Sequence, residues 1–129
     1  MKILFLGDVV GLSGCRKITN DLSIQVKKNN IDFVIINGEN ADDTGVGLTK
    51  EICKDFFENG VDVITTGNHV WDQKDIMNFI DKENRLLRPK NLFEPAPGRG
   101  FEIYQTKNNY RVGVLNLMGN VFMKKCDDV

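Results

Sequence analysis

Three short segments hold the residue types that can do chemistry: Gly7-Asp8, Gly38-Glu39-Asn40 and Gly67-Asn68-His69. Together they offer two carboxylates, two amides and one imidazole, each group following a glycine placed where the backbone must turn sharply and let a ligand approach closely. Carboxylate and amide oxygens suit hard divalent or trivalent cations, and imidazole adds affinity for iron, zinc or manganese. Taken one at a time, each residue also has an ordinary structural reading. Asp8 suits a turn or cap, and Glu39-Asn40 suits loop polarity. Asn68 tolerates a left-handed turn, and His69 has Trp71 close by to pack on. The recurrence favours metal binding, because all three groups directly follow strand-like runs. The reaction carried out on such a metal is not fixed by these residues alone.

The elements that must position them follow from the apolar pattern. Lys2 to Gly7 reads K-I-L-F-L-G, a continuous apolar run expected for a strand buried on both faces. Ser13-Gly14 then precedes a helical stretch with Ile18, Leu22 and Val26 on one face, closed by Asn29-Asn30. A second strand covers Ile31 to Ile36 and stops at Asn37-Gly38. Thr49 is placed to cap a second helix carrying Ile52, Phe56 and Phe57, with Asn59-Gly60 as its stop. The third strand is Val61 to Thr65, and Asp72 is placed to cap a third helix bearing Ile76, Met77, Phe79 and Ile80. Beyond an irregular connection with Pro89, Pro95 and Pro97, Phe101 to Tyr104 and Arg111 to Leu117 read as a hairpin turning at Asn108-Asn109. This order predicts an α/β fold: a parallel βαβαβ sheet covered by helices, then a β-hairpin. Right-handed crossovers bring the three strand C-termini to one edge, the edge at which open α/β sheets bind ligands.

Composition excludes several alternatives. A length of 129 residues fits one domain. With 17 basic and 18 acidic side chains, nothing favours nucleic acid or an anionic membrane as a partner. The longest apolar runs fall far short of the ~20 residues that span a bilayer. Met1-Lys2 leads directly into a strand, so no signal peptide is expected. Cys15, Cys53 and Cys126 form no disulfide framework or C-x-x-C site, which suits a reducing, cytoplasmic location. Phosphate-binding glycine motifs and the G-x-S-x-G elbow are also missing. One histidine excludes any multi-histidine site built from this chain alone.

G-D-V-V-G at 7–11, I-I-N-G-E-N-A at 35–41, G-L-T at 47–49 and T-G-N-H-V-W-D at 66–72 resemble the calcineurin-like metallophosphoesterase superfamily. The bacterial YmdB-like branch is the closer match, through the glutamate of G-E-N. R-P-K-N at 88–91, P-G-R-G at 97–100 and N-L-M-G at 116–119 extend the similarity over almost the whole chain. The resemblance implies the N-terminal part of an α/β/β/α sandwich. It also implies Asp8, Glu39, Asn40 and Asn68 as ligands of two divalent or trivalent ions, iron or manganese, with Glu39 bridging them. His69 would be the proton donor to the leaving group, and a metal-bridging hydroxide the nucleophile. Substrates would be small phosphoesters, including 2′,3′-cyclic nucleotides, with the substrate-binding residues unassigned.

Two local departures concern the surroundings of the site. Cys15 stands where such proteins often carry an arginine, and the 41–47 loop is a residue longer than usual. The family's three further ligands are histidines of its second half, which this sequence does not reach. Residues 1–129 therefore read as a truncated single domain, inactive alone. Its partner would be a complementary C-terminal chain, as in a split enzyme, or a second copy. An unpaired edge is expected after Arg111 to Leu117. The competing reading is a non-catalytic α/β module that binds a nucleotide or a protein.

Overall fold

The computed structural model of the chain describes residues 1–92, 95–123 and 126–127. Strand β1 (Ile3–Leu6) pairs in parallel with β2 (Phe33–Asn37), β2 with β3 (Val63–Thr65), and β3 with β4 (Leu86–Leu87). Spatial order equals chain order. Leu6 lies opposite Ile36 and Asn37 opposite Thr65, so the three donor segments emerge side by side at one edge.

Helix α1 (Gly11–Asn29) connects β1 to β2 and α2 (Lys50–Glu58) connects β2 to β3. Helix α1 begins ahead of the expected Ser13-Gly14, at Gly11, whose φ is 61°. It ends as expected, with Asn30 left-handed at φ 53° and its N–H returned to the last helical carbonyls. Thr49 caps α2, its hydroxyl accepting the Ile52 N–H at 3.3 Å. Ile18, Leu22 and Val26 of α1 and Phe56 of α2 pack with Val34, Ile36 and Ile64 as the main core.

The hairpin, β5 (Phe101–Gln105) with β6 (Arg111–Leu115), covers the opposite face of the sheet. Its inner residues Tyr104, Val112 and Val114 pack on Phe33, Ile35, Val63 and Leu87. The Phe33 and Tyr104 rings lie 5.8 Å apart. The layering is helices, parallel sheet, antiparallel pair.

Three expectations are corrected. Strand β1 is not buried on both faces: it forms the edge of the sheet, and Ile3 and Phe5 stand 44% and 59% exposed. The third helix is only a 3₁₀ turn over Lys74–Asn78, and Asp72 does not cap it: Gln73 stands at the cap position, and the Asp72 carboxylate meets His69 instead. Strand β6 ends at Leu115, short of the expected Leu117, and Asn116 continues its inward-facing alternation to bond other strand ends. Strand β4, two leucines long, is too short to give a periodic signal.

Candidate active site at the strand ends

The loops after β1 and β2 are stitched by backbone hydrogen bonds. Val9 N–H donates to Asn37 O at 2.9 Å, Gly11 N–H to Asn40 O at 2.8 Å, and Val10 and Asn40 form an isolated parallel bridge. Gly38 N–H donates to Thr65 O at 3.0 Å, tying β2 to β3 at the same edge. These contacts place the donors by backbone rather than by side-chain packing.

Within that frame, Asn40 Nδ2 donates to Asp8 Oδ1 at 2.7 Å, bringing two of the sequence-selected residues into direct contact. Asp8 carries the strain of the turn. Its φ is +42°, whereas Gly7, Gly38 and Gly67 all stay out of the left-handed region. The expectation that the strand-end glycines make the sharp turns is therefore corrected. A non-glycine residue held there costs of order 1–3 kcal/mol and persists only where its surroundings fix it.

The strand-end glycines supply space instead. A Cβ on Gly38 would lie 3.1 Å from Ile64 Cγ2. A Cβ on Gly67 would overlap Glu39 Oε2 and come within 2.5 Å of Glu39 Cδ, so the Glu39 carboxylate lies directly against the bare Gly67 backbone. Glu39 Oε2 is buried and has no hydrogen-bond partner among the described residues. The peptide around it is fixed: Glu39 N–H bonds Asn37 Oδ1 at 3.3 Å, and Glu39 O accepts the Gly47 N–H at 2.6 Å.

Asn68 and His69, both half-buried, lie in the turn after β3, where Val70 N–H returns to Gly67 O at 3.2 Å. His69 Nδ1 lies 2.6 Å from Asp72 Oδ2, and Asp72 N–H also donates to His69 O at 3.1 Å. Asp72 lies within the T-G-N-H-V-W-D motif but reads from sequence as a helix cap. Its spacing of three residues from the only histidine was the available signal.

Asn116 is a second residue whose part is not apparent from sequence alone. Buried, it donates from Nδ2 to Thr66 O at 2.8 Å and to Leu87 O at 2.9 Å, bracing the end of β3. A polar residue following the alternating β6 pattern, in the N-L-M-G segment, was its only sequence signal.

The local departures are structural in kind. Cys15 is buried and donates to Ala41 O at 3.2 Å, with burial pushing its thiol up, so it braces the loop rather than presenting a thiolate. In the 41–47 loop, Asp42 accepts the Thr44 hydroxyl at 2.7 Å and its N–H at 3.0 Å, which holds its carboxyl below the usual range. Gly45 and Gly47 take the left-handed conformations that loop requires, at φ 81° and 84°.

The donor set suits a hard cation. A buried carboxylate oxygen without a donor is costly, and a positive charge is the partner that relieves it. Asp8 adds a second carboxylate, and Asn40 and Asn68 add amide oxygens. Among the described residues, no three His, Cys, Asp and Glu side chains gather closely enough to hold an ion by themselves.

A family model for YmdB-like proteins matches residues 4–129. The chain belongs to the YmdB-like family. A member from Bacillus subtilis strain 168, named 2′,3′-cyclic-nucleotide 2′-phosphodiesterase, is 43% identical over 128 residues, which are 99% of this chain and 48% of that protein. A Thermus thermophilus protein of known structure superposes with a TM-score of 0.90 at 34% identity, covering 99% of this chain and 49% of the other. A structure described as a novel phosphatase from Mycoplasma pneumoniae gives 0.82, also at 34% identity, over 92% of this chain and 43% of that one. The chain thus spans about half the length of the YmdB-like relatives it matches. Among the described residues, no helix is long and apolar enough to cross a membrane.

Proposed function

We propose that this chain carries the N-terminal part of a phosphodiesterase site, acting on small phosphoesters of the 2′,3′-cyclic-nucleotide type. The supporting observation is Glu39: a buried carboxylate oxygen with no donor among the described residues, pressed against Gly67. In this reading Asp8, Glu39, Asn40 and Asn68 hold two cations, iron or manganese, and polypeptide corresponding to the rest of the YmdB-like relatives completes the ligand set. The chemistry supplied by two bound cations is Lewis-acid polarisation of the phosphoryl group and a lowered pKa for water.

The chain's own residues have separate tasks. Asp8 and Glu39 bring negative charge to the strand ends, and the amides of Asn40 and Asn68 add oxygen donors without adding more. Asn40, by donating to Asp8, sets the orientation of that carboxylate. His69 protonates the departing alkoxide, a contribution typically worth about 10²–10⁴-fold. Asn116 and the backbone bonds between loops keep the donors in register.

The test is hydrolysis of 2′,3′-cyclic AMP and of bis-p-nitrophenyl phosphate with added Mn²⁺. It compares the chain alone with the chain fused to the second half of the Bacillus subtilis relative. Turnover by the fusion, negligible turnover by the chain alone, and loss in Glu39→Gln and His69→Ala fusions are expected. A well-folded fusion without metal-dependent turnover overturns the reading.

A further inference from the structure

We propose that Asp72 is the positioning residue of His69, holding the imidazole as its Nδ1–H tautomer so that Nε2 is the nitrogen that exchanges a proton. The two residues are joined twice. Asp72 N–H donates to His69 O at 3.1 Å, and the side chains meet at 2.6 Å between Nδ1 and Oδ2. The backbone bond, together with the preceding turn from Gly67 to Val70, fixes the separation of the two Cα atoms. The side-chain contact then has little freedom to be lost.

Chemistry fixes the direction of the contact. An ionised carboxylate only accepts, so the hydrogen lies on Nδ1. At 2.6 Å the bond belongs to the short, charge-assisted class. A ring nitrogen committed in this way leaves the other one to do chemistry, the general means by which a hydrogen-bonded partner sets which histidine nitrogen acts. In the imidazolium, which carries a proton on each ring nitrogen, the second proton is on Nε2. When that proton passes to a leaving alkoxide, the Nε2–H bond breaks and an O–H bond forms. The ring loses its positive charge, and the tautomer left behind is the one Asp72 already holds. Nothing has to rotate after the transfer.

Exposure fits a positioning role better than a packing one. The His69 and Asp72 side chains are 34% and 41% exposed, so burial does not set their geometry. Trp71, between them, packs against the main core and anchors the turn.

The tautomer stands on the hydrogen bond alone, whereas its use in proton donation rests on the phosphodiesterase reading. The chain has a single histidine, so ¹⁵N-histidine labelling reports one imidazole without assignment. The spectrum is recorded about two pH units above the ordinary imidazole pKa of ~6.5. The wild-type chain is expected to show a protonated, pyrrole-type Nδ1 and a bare, pyridine-type Nε2. Asp72→Ala, with folding checked by its backbone amide spectrum, is expected to exchange the two, giving predominantly Nε2–H. A wild-type ring that is predominantly Nε2–H overturns the proposal, as does a folded Asp72→Ala chain whose ring is still Nδ1–H. If the variant does not fold, the wild-type spectrum decides. A fusion enzyme without turnover would remove the phosphodiesterase reading and leave this result standing.

Discussion

Strands β1 and β2 are neighbours of nearly the same composition, I-L-F-L against F-V-I-I, and their environments differ sharply. Phe33 to Ile36 are all buried, while Ile3 and Phe5, paired in register with Phe33 and Ile35, are about half exposed. The cause lies outside both runs. Strand β2 has a partner on each side, helices on one face and the hairpin on the other. Strand β1 has one partner, and the hairpin's inner residues reach Phe33 and Ile35 without covering Ile3 and Phe5. An apolar run shows that a strand can be buried on both faces; what covers it is decided by residues elsewhere. The hairpin repeats the point, with Val112 and Val114 buried beneath it and Phe101, Ile103 and Leu115 exposed on its outer side.

The comparison is broken most directly by truncating two cross-strand partners. Ile35 and Phe5 face each other in register on one side of the sheet. Ile35→Ala is expected to cost about 2–5 kcal/mol, the range for a buried aliphatic truncation. Phe5→Ala removes more atoms, yet its side is largely in water already, and about 1 kcal/mol or less is expected. Urea denaturation of the two variants measures both. Equal costs would mean that β1 is covered in solution as fully as β2.

A sharper version compares glycines at the site. Gly67→Ala places a methyl against the Glu39 carboxylate, whereas Gly119→Ala meets nothing within 4 Å among the described residues and its φ lies outside the left-handed range. The first is expected to destabilise by about 1–3 kcal/mol, as overpacking does, and the second by a few tenths. Because the collision is with one side chain, Glu39→Ala should recover most of the Gly67→Ala cost in a double-mutant cycle. Additive costs would show that Gly67 is needed for some reason other than room for Glu39.

The same contrast explains what could be read in advance. Strands β1 to β3 and helices α1 and α2 were visible because each has a local signature: β-branched or apolar runs, a three-to-four spacing, Thr49 as cap and Asn30 as stop. The edge carrying Asp8, Glu39, Asn40, Asn68 and His69 followed from parallel order alone. Features set by contact between distant segments were not visible. The exposure of β1, the Leu86–Leu87 strand, the partners of the Asn116 amide and the Glu39–Gly67 contact all depend on residues far away in sequence. Asp72 is a different case. A carboxylate ahead of a helical pattern is a fair cap by propensity, but the turn starts one residue later, with Gln73 at the cap position, and the carboxylate meets the histidine three residues earlier instead.

The smallest expected effect lies where the two strands begin. Asp32, just before β2, accepts the Lys2 N–H at 2.7 Å and the Asn108 amide at 2.6 Å, while its own N–H donates to Lys2 O at 2.8 Å. One carboxylate thus joins the start of β1, the start of β2 and the hairpin turn. Chiefly through the Lys2 N–H, folding holds its carboxyl below the usual range. Its contribution is therefore fully present above the unfolded value of ~3.9 and is lost as pH falls through the lower folded one. Asp32→Ala should lower stability slightly at neutral pH and lose less than the wild type as pH drops below ~4. Urea midpoints at a series of pH values measure the difference. Parallel profiles for the two proteins would mean that the edge strand is held at its start by the backbone pairing alone, and that the carboxylate only accompanies it.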